Sequence, residues 1–301
     1  ADTVWPVGTL ETMPVKVDHG TFWGPGSYDM KAGLVQGLFA VEALGALFGE
    51  PLAVTPVFLV NSDEEIGSHD STRAIVRFAR GADRCFVLEP SLGAEGNLKT
   101  GRKGVGRFTI RVRGQAAHAG LDPNKGASAI LELSHIIQEL FALNDPSKGI
   151  TVNVGTIDGG LSPNVVAPES RAVVDVRVPT KEDATRIEET IHSLEARTPG
   201  TELSVEGAIG RPPMERTPGN ERLWLLAQRG AEELGFSLGQ AFAGGGSDGN
   251  TTSQYAPTLD GLGAVGGGAH AVTEHLELGR MVERSALLAR LLSFPPLGEA
   301  S

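Results

Sequence analysis

Hydrophobic and polar positions change their spacing twice along this 301-residue chain. Over the first hundred residues, helix-length apolar stretches alternate with short apolar runs. Met30 to Phe48 reads as an apolar helix, Val54 to Val60 as a buried strand, Ser71 to Arg80 as an amphipathic helix and Arg84 to Leu88 as a second buried strand. Such alternation predicts βαβ units and a largely parallel sheet, with functional groups gathered at the carboxyl ends of its strands. After Gly104 a two-residue period takes over. Phe108, Ile110 and Val112 alternate with Arg107, Thr109, Arg111 and Arg113, the mark of a strand with one exposed face. A helix from about 127 to 143, strands near 151–157 and 171–178, a helix over 181–197 and a strand at 202–206 complete the order β-α-β-β-α-β. That is the order of a ferredoxin-like domain. Pro212-Pro213 marks the exit. The α/β style then resumes with a helix over 220–234, a Gly-rich turn from Gly244 to Gly249 and a last helix over 280–292.

The predicted architecture is therefore an α/β domain (residues 1–104 and 213–301) with a mostly parallel sheet, interrupted by an inserted ferredoxin-like α+β domain (residues 105–212). Outer strands and helices of the insert offer a surface for a second copy, so a homodimer is expected. Formal net charge is −11, spread along the chain, which sets nucleic acid and anionic membranes aside as partners. No apolar run approaches the ~20 residues of a membrane span. The single cysteine, Cys85, lies in an apolar run and reads as a small buried hydrophobe.

Candidate chemistry sits in three carboxylate clusters. Asp29 follows Gly24-Pro25-Gly26-Ser27-Tyr28 and opens a helix, Asp63-Glu64-Glu65 follows the first predicted strand, and Glu89 follows the second. Carboxylates at the strand ends of a parallel sheet suit a hard or borderline cation. His270, in Gly266-Gly267-Gly268-Ala269-His270, can complete a zinc site. Any one of these acids alone would read as a helix cap or a solvated loop charge; three placed this way point to a shared site. One rival class fares poorly. Gly261-Leu262-Gly263-Ala264-Val265-Gly266 fits a dinucleotide fingerprint literally but lacks the strand-turn-helix around it.

The chain resembles the M20 metallopeptidases, most closely their glutamate carboxypeptidase branch. The resemblance is carried by Asp2-Thr3-Val4, Gly24 to Lys31, Asn61 to Ser68, Glu89-Pro90, Ala117-His118-Ala119-Gly120, Pro163 to Pro168, Asp175-Val176-Arg177, Gly244 to Asp248 and His270 to Glu274. It implies a zinc-hydrolase catalytic domain and a lid or dimerisation domain. It implies two zinc ions per subunit, with cobalt or manganese as substitutes: Asp29 bridging them, Glu65 and His270 on one, Glu89 on the other. Glu64 would be the general base, and His118 would steady the oxyanion in the partner subunit's site. Arg177 would grip the substrate carboxylate, and Asn164, Gly245, Gly246 and Ser247 would position the scissile group. The peptide bond after Asp29 is expected to be cis. The implied substrate is a small N-acyl amino acid or peptide with a free carboxylate, glutamate among the candidates.

One departure stands out. The family pattern His-x-Asp-Thr-Val places its histidine on the zinc shared with Glu89 and uses the aspartate, here Asp2, to orient it. That histidine, an N-terminal helix and the first strands of the sheet are expected ahead of Ala1, as is any export signal, so the cellular compartment stays open. The alternative is a dimeric, catalytically impaired binding homologue that keeps the pocket without a full metal site. Glu64, whose evident use is proton transfer, argues against it.

Overall fold

The computed structural model describes residues 2–48 and 52–298. Ala1, where the His-x-Asp-Thr-Val pattern would take its second place, lies outside them. In chain order the elements are β1 (Lys16–Asp18), β2 (Thr21–Trp23), α1 (Ala32–Phe48), α2 (Thr72–Ala79), β3 (Cys85–Phe86), β4 (Leu98–Arg102), β5 (Gly104–Arg113), α3 (Ala129–Ala142), β6 (Thr151–Gly159), β7 (Glu169–Val178), α4 (Lys181–His192) and β8 (Glu202–Arg211). They continue with α5 (Pro218–Glu233), β9 (Gln240–Ala243), α6 (Asp248–Thr252), β10 (Thr258–Leu259), β11 (Gly266–Gly267), β12 (His275–Glu277) and α7 (Leu278–Ser293). The chain divides into two compact units. The first comprises residues 1–102, 214–243 and 247–301, and the second residues 103–213 with 244–246.

The second unit is built as its sequence period dictates. Its sheet runs β6-β7-β5-β8, antiparallel throughout, with Phe108 paired to Val174 and to Gly207. Phe108, Ile110 and Val112 are buried along with Val174, Val176 and Val178 of β7. They meet Leu133, Ile136 and Leu140 of α3 and Ile187 and Ile191 of α4 in one core. Arg107 and Arg111, one residue out of phase, lie exposed. Both helices carry side-chain caps. Ser128 accepts from the backbone N–H of Leu131, and Thr180 from that of Asp183.

The first unit is less regular. Two short parallel pairs, β3 with β10 and β4 with β9, stand beside a four-stranded sheet in the order β1-β2-β12-β11, antiparallel at every pairing. Leu223, Trp224 and Ala227 of α5, Leu287, Leu288 and Leu291 of α7 and Ala40 and Leu44 of α1 form its core with Leu259. The predicted strand over Val54–Val60 is not one. The segment has no sheet pairing among the described residues, and Val57, Phe58, Leu59 and Val60 are exposed. An apolar β-type run becomes a strand only when a neighbour supplies ladder hydrogen bonds, and no described residue does so here. The second predicted strand shortens: Cys85 and Phe86 pair with β10, and the Val87 N–H still reaches the Leu259 carbonyl at 2.9 Å. The helix predicted from Met30 begins at Ala32, after a π-type turn over Ser27–Lys31. Among the described residues no helix is long and apolar enough to cross a membrane.

Candidate metal centre

Three side chains converge in the first unit. Asp29 leaves the turn ahead of α1, Glu65 lies in the loop before α2, and His270 sits in the loop between β11 and β12. One ligand atom from each lies within 4.8 Å of the others. His270 Nε2 is 3.4 Å from an Asp29 carboxylate oxygen and 3.3 Å from one of Glu65. These separations are long for charge-assisted hydrogen bonds, which run at about 2.7–2.9 Å. They match the edge of a tetrahedron, about 3.4 Å when metal–ligand distances are about 2.0–2.2 Å. The donor set, two carboxylates and an imidazole, is one that zinc accepts. The residues present therefore fit a divalent ion.

Charge points the same way. Burial, with His270 opposing it, holds the Asp29 carboxyl above its ordinary value. Glu65 is raised by burial first and by Asp29 second. Glu89, pushed up to about 8, owes this to burial, then to Asp29 and Asp260. Glu89 is not in the tight trio but opens onto the same cavity of about 690 Å³, together with Asp2, Asp29, Glu64 and Glu65. Crowded, desolvated carboxylates disfavour their own ionisation, and a cation among them reverses that.

The backbone explains the placement. The Asp29–Met30 peptide bond is cis, as the resemblance implied, and His270 has φ 61°, a left-handed conformation rare outside glycine. Asp2 spans both neighbouring glutamates: its two carboxylate oxygens accept the backbone N–H groups of Glu64 and Glu65, each at 3.1 Å. That fixes the pair from the main chain and leaves their side chains to serve the cavity. Two further anchors went unread in the sequence. Asp260, fully buried, takes the Arg102 guanidinium at 2.6 and 3.1 Å and the Ser247 hydroxyl at 2.6 Å. Glu274, also fully buried, accepts four N–H donors around the Asp29 turn. The signal available for Glu274 was its spacing of four residues from His270.

The expected substrate-binding residues fare unevenly. Ser247 is buried; its hydroxyl donates to Asp260 and caps α6. Gly245 and Gly246 fall in the second unit with Gly244. So do His118, Asn164 and Arg177. Arg177 already holds Asp175, its neighbour two positions back, through a fork of 2.8 and 3.0 Å. His118 and Asn164 lie on paired loops, with His118 bridged to Val165 and the Ala119 N–H bonded to the Asn164 carbonyl at 3.0 Å. The His118 ring is exposed, and its Nδ1 accepts from the N–H groups of Gly120 and Leu121, both at 3.2 Å. An accepting Nδ1 puts the proton of the neutral ring on Nε2, which becomes an outward donor.

Known proteins place this arrangement. Residues 100–198 match the pattern of a peptidase dimerisation domain. Carboxypeptidase G2 of Pseudomonas sp. (strain RS-16) is 28% identical over 300 residues, 97% of this chain and 71% of that protein. Succinyl-diaminopimelate desuccinylase of Paracidovorax citrulli is 32% identical over 269 residues, 85% of this chain and 68% of the relative. The chain belongs to the M20 peptidase family. M20 membership makes it an enzyme, an amide-bond hydrolase of the metallopeptidase class, and accounts for a fold of mixed α/β sheets with an inserted dimerisation domain. Among solved M20 structures, a dinuclear metal-binding peptidase of Bacillus subtilis shares the fold. It has a TM-score of 0.68 at 17% identity, covering 86% of this chain and 69% of that one.

Proposed function

We propose that this M20 enzyme is a two-zinc hydrolase that cuts an amide bond beside a free carboxylate, releasing an amino acid, with glutamate the first to be tried. The observation that carries the reading is the Asp29, Glu65, His270 trio, with the His270 Nε2 3.3–3.4 Å from both carboxylates. Glu89 lines the same cavity as Asp29 and would help hold a second ion, with Asp29 shared between the two. Zinc would acidify a water and offset charge on the tetrahedral intermediate.

Glu64 is the general base of this proposal. It faces the cavity beside Glu65 yet stands outside the trio, which suits a carboxylate that must stay basic. It takes the water proton and hands it to the leaving nitrogen. The second unit serves as lid and dimerisation domain, and His118 donates its Nε2 proton towards the developing oxyanion of the partner subunit's site. Arg177 receives the substrate carboxylate, sharing its fork with Asp175. Relatives named for carboxypeptidase and desuccinylase activity support a carboxylate next to the scissile amide.

Glu64→Gln tests the assignment. Turnover of N-acyl glutamates should fall about 10²–10⁴-fold, with zinc content unchanged. Glu65→Gln should lower the zinc content itself. Near-normal turnover by Glu64→Gln would end its role as base.

A further inference from the structure

Beyond the ligands, one buried carboxylate links the pieces of the centre. We propose that Glu274 is a positioning residue that locks the Asp29 turn and the His270 loop into a single metal-binding geometry; this rests on the metal-centre reading above. Glu274 has no exposed surface. Its Oε1 accepts the backbone N–H groups of Tyr28 and Asp29, each at 3.0 Å. Its Oε2 accepts the Gly26 N–H and the Trp5 indole N–H, both at 2.8 Å. One of the four donors is thus the amide of Asp29 itself, and all four meet a charged acceptor, where such bonds are strongest.

Glu274 also belongs to the segment that presents His270. Its backbone N–H bonds the Ala271 carbonyl at 2.9 Å, and Ala271 in turn bonds Gly268. The Trp5 bond adds a third segment, that of Asp2, which grips Glu64 and Glu65. The turn under Glu274 requires a glycine at position 26. Gly26 has φ 69°, and a Cβ there would come within 2.2 Å of the Thr3 side chain. So a single side chain spans three segments that each carry a residue of the centre. If it were only structural, its loss would lower stability and leave the metal affinity of the folded protein alone. As a positioning residue, it sets that affinity.

The test is zinc titration of the full chain against a chromophoric chelator, with thermal melting of the metal-free protein alongside. Glu274→Gln keeps the size but puts an amide NH₂ where one pair of N–H donors expects an acceptor. Zinc affinity should fall about 10–100-fold, as for other partners that orient ligands. Trp5 emission, isolated in a Trp23→Phe, Trp224→Phe background, should shift at the same time. Unchanged affinity in a folded Glu274→Gln protein overturns the proposal. If that variant does not fold, Trp5→Phe decides, since it removes one donor. A threefold or greater weakening of zinc binding supports the role, and wild-type affinity overturns it. If the unsubstituted chain takes up no zinc, the metal-centre reading fails and takes this inference with it. If that chain binds zinc and the variants bind equally, only the Glu274 role is lost.

Discussion

The two units differ in how they hold part of their carboxylates. In the first, Asp29, Glu65 and Glu89, three of the acids that line the cavity, are held above their ordinary values, chiefly by burial, while Asp63, Glu233 and Asp260 are lowered. In the second, every described carboxylate with a resolved shift is lowered. For Glu132, hydrogen bonds from the N–H groups of Arg197 and Thr198 outweigh burial. Asp145 is lowered first by the Ser147 hydroxyl. Asp183 is lowered against burial by Arg186 and Thr180. The second unit's shifted acids are all satisfied by internal donors; in the first, Asp29, Glu65 and Glu89 around the cavity are the ones that burial raises. A fold that only had to be stable would build the second unit's kind throughout. The contrast is the reason for placing the proposed chemistry in the first unit's loops.

The largest effect that could break this division belongs to His118. It is the second unit's claim to chemistry, and its exposed Nε2 donor supports a part in catalysis. His118→Ala should lower kcat about 10²–10³-fold, the usual loss for one oxyanion donor, with zinc content intact. Mixing it with Glu64→Gln chains should restore activity, because one hybrid site then holds an intact Glu64 and an intact His118. Mixed dimers that demonstrably form and stay inactive would remove His118 from the partner's site.

A smaller effect sharpens the contrast through pH. In metal-stripped protein Glu89 titrates at about 8 when folded, against the ordinary 4.5. The folded state holds that proton longer than the unfolded one. Its stabilising effect is therefore full below about 4.5 and is lost as pH rises through about 8. Asp29 and Glu65 act with the same sign. Stability of the first unit should decline from pH 5 to 8, by about 1.4 kcal/mol per pH unit for each proton so held. The lowered acids of the second unit are ionised in both states over that window and add no slope there. All three tryptophans, Trp5, Trp23 and Trp224, lie in the first unit, so their emission follows it alone, while amide exchange in β5 and β7 follows the other. Added zinc should flatten the tryptophan curve. A slope confined to the second unit would invert the comparison.

How much of this was legible in the sequence also differs by unit. Phe108, Ile110 and Val112 announced β5 because one strand face meets one core, and the period survives folding intact. Val54–Val60 announced a strand that did not form, because a run of apolar residues cannot say whether a neighbour will pair with it. The clusters that hold Asp29 and Glu65 were readable, with His270, as a shared cation site by type and setting, while the choice of Glu65 over its neighbours came from the resemblance. Asp260 and Glu274 were not. A buried carboxylate that accepts backbone N–H groups has no period, and its donors lie far along the chain: 248 residues separate Gly26 from Glu274. The bonds of Ser247 were not legible either: its glycine-rich motif does not show that the hydroxyl donates to Asp260 and caps α6.

The smallest predicted effects compare that cap with one of the same kind in the other unit. Thr180 caps α4 by accepting the Asp183 N–H at 3.0 Å, and its hydroxyl donates to the Asp183 carboxylate at 2.8 Å. Asp183 also has Arg186 at 2.8 Å, so it keeps a partner when Thr180 is cut back. Thr180→Ala should therefore cost about 1 kcal/mol, the usual value of an N-cap, with zinc affinity and kcat unchanged. Ser247 caps α6 in the same manner but also serves Asp260, a carboxylate with no contact to water. Ser247→Ala strips one donor from a buried charge and should cost about 1–3 kcal/mol on that account. It should also move kinetics, because Asp260 holds Arg102, whose charge faces Glu89. Denaturant melts of both variants, read beside kcat/KM, separate the cases. Equal stability losses with equal, unaltered kinetics would mean that Asp260 carries no link between the α6 cap and the centre, and that the two units differ less than their carboxylates suggest.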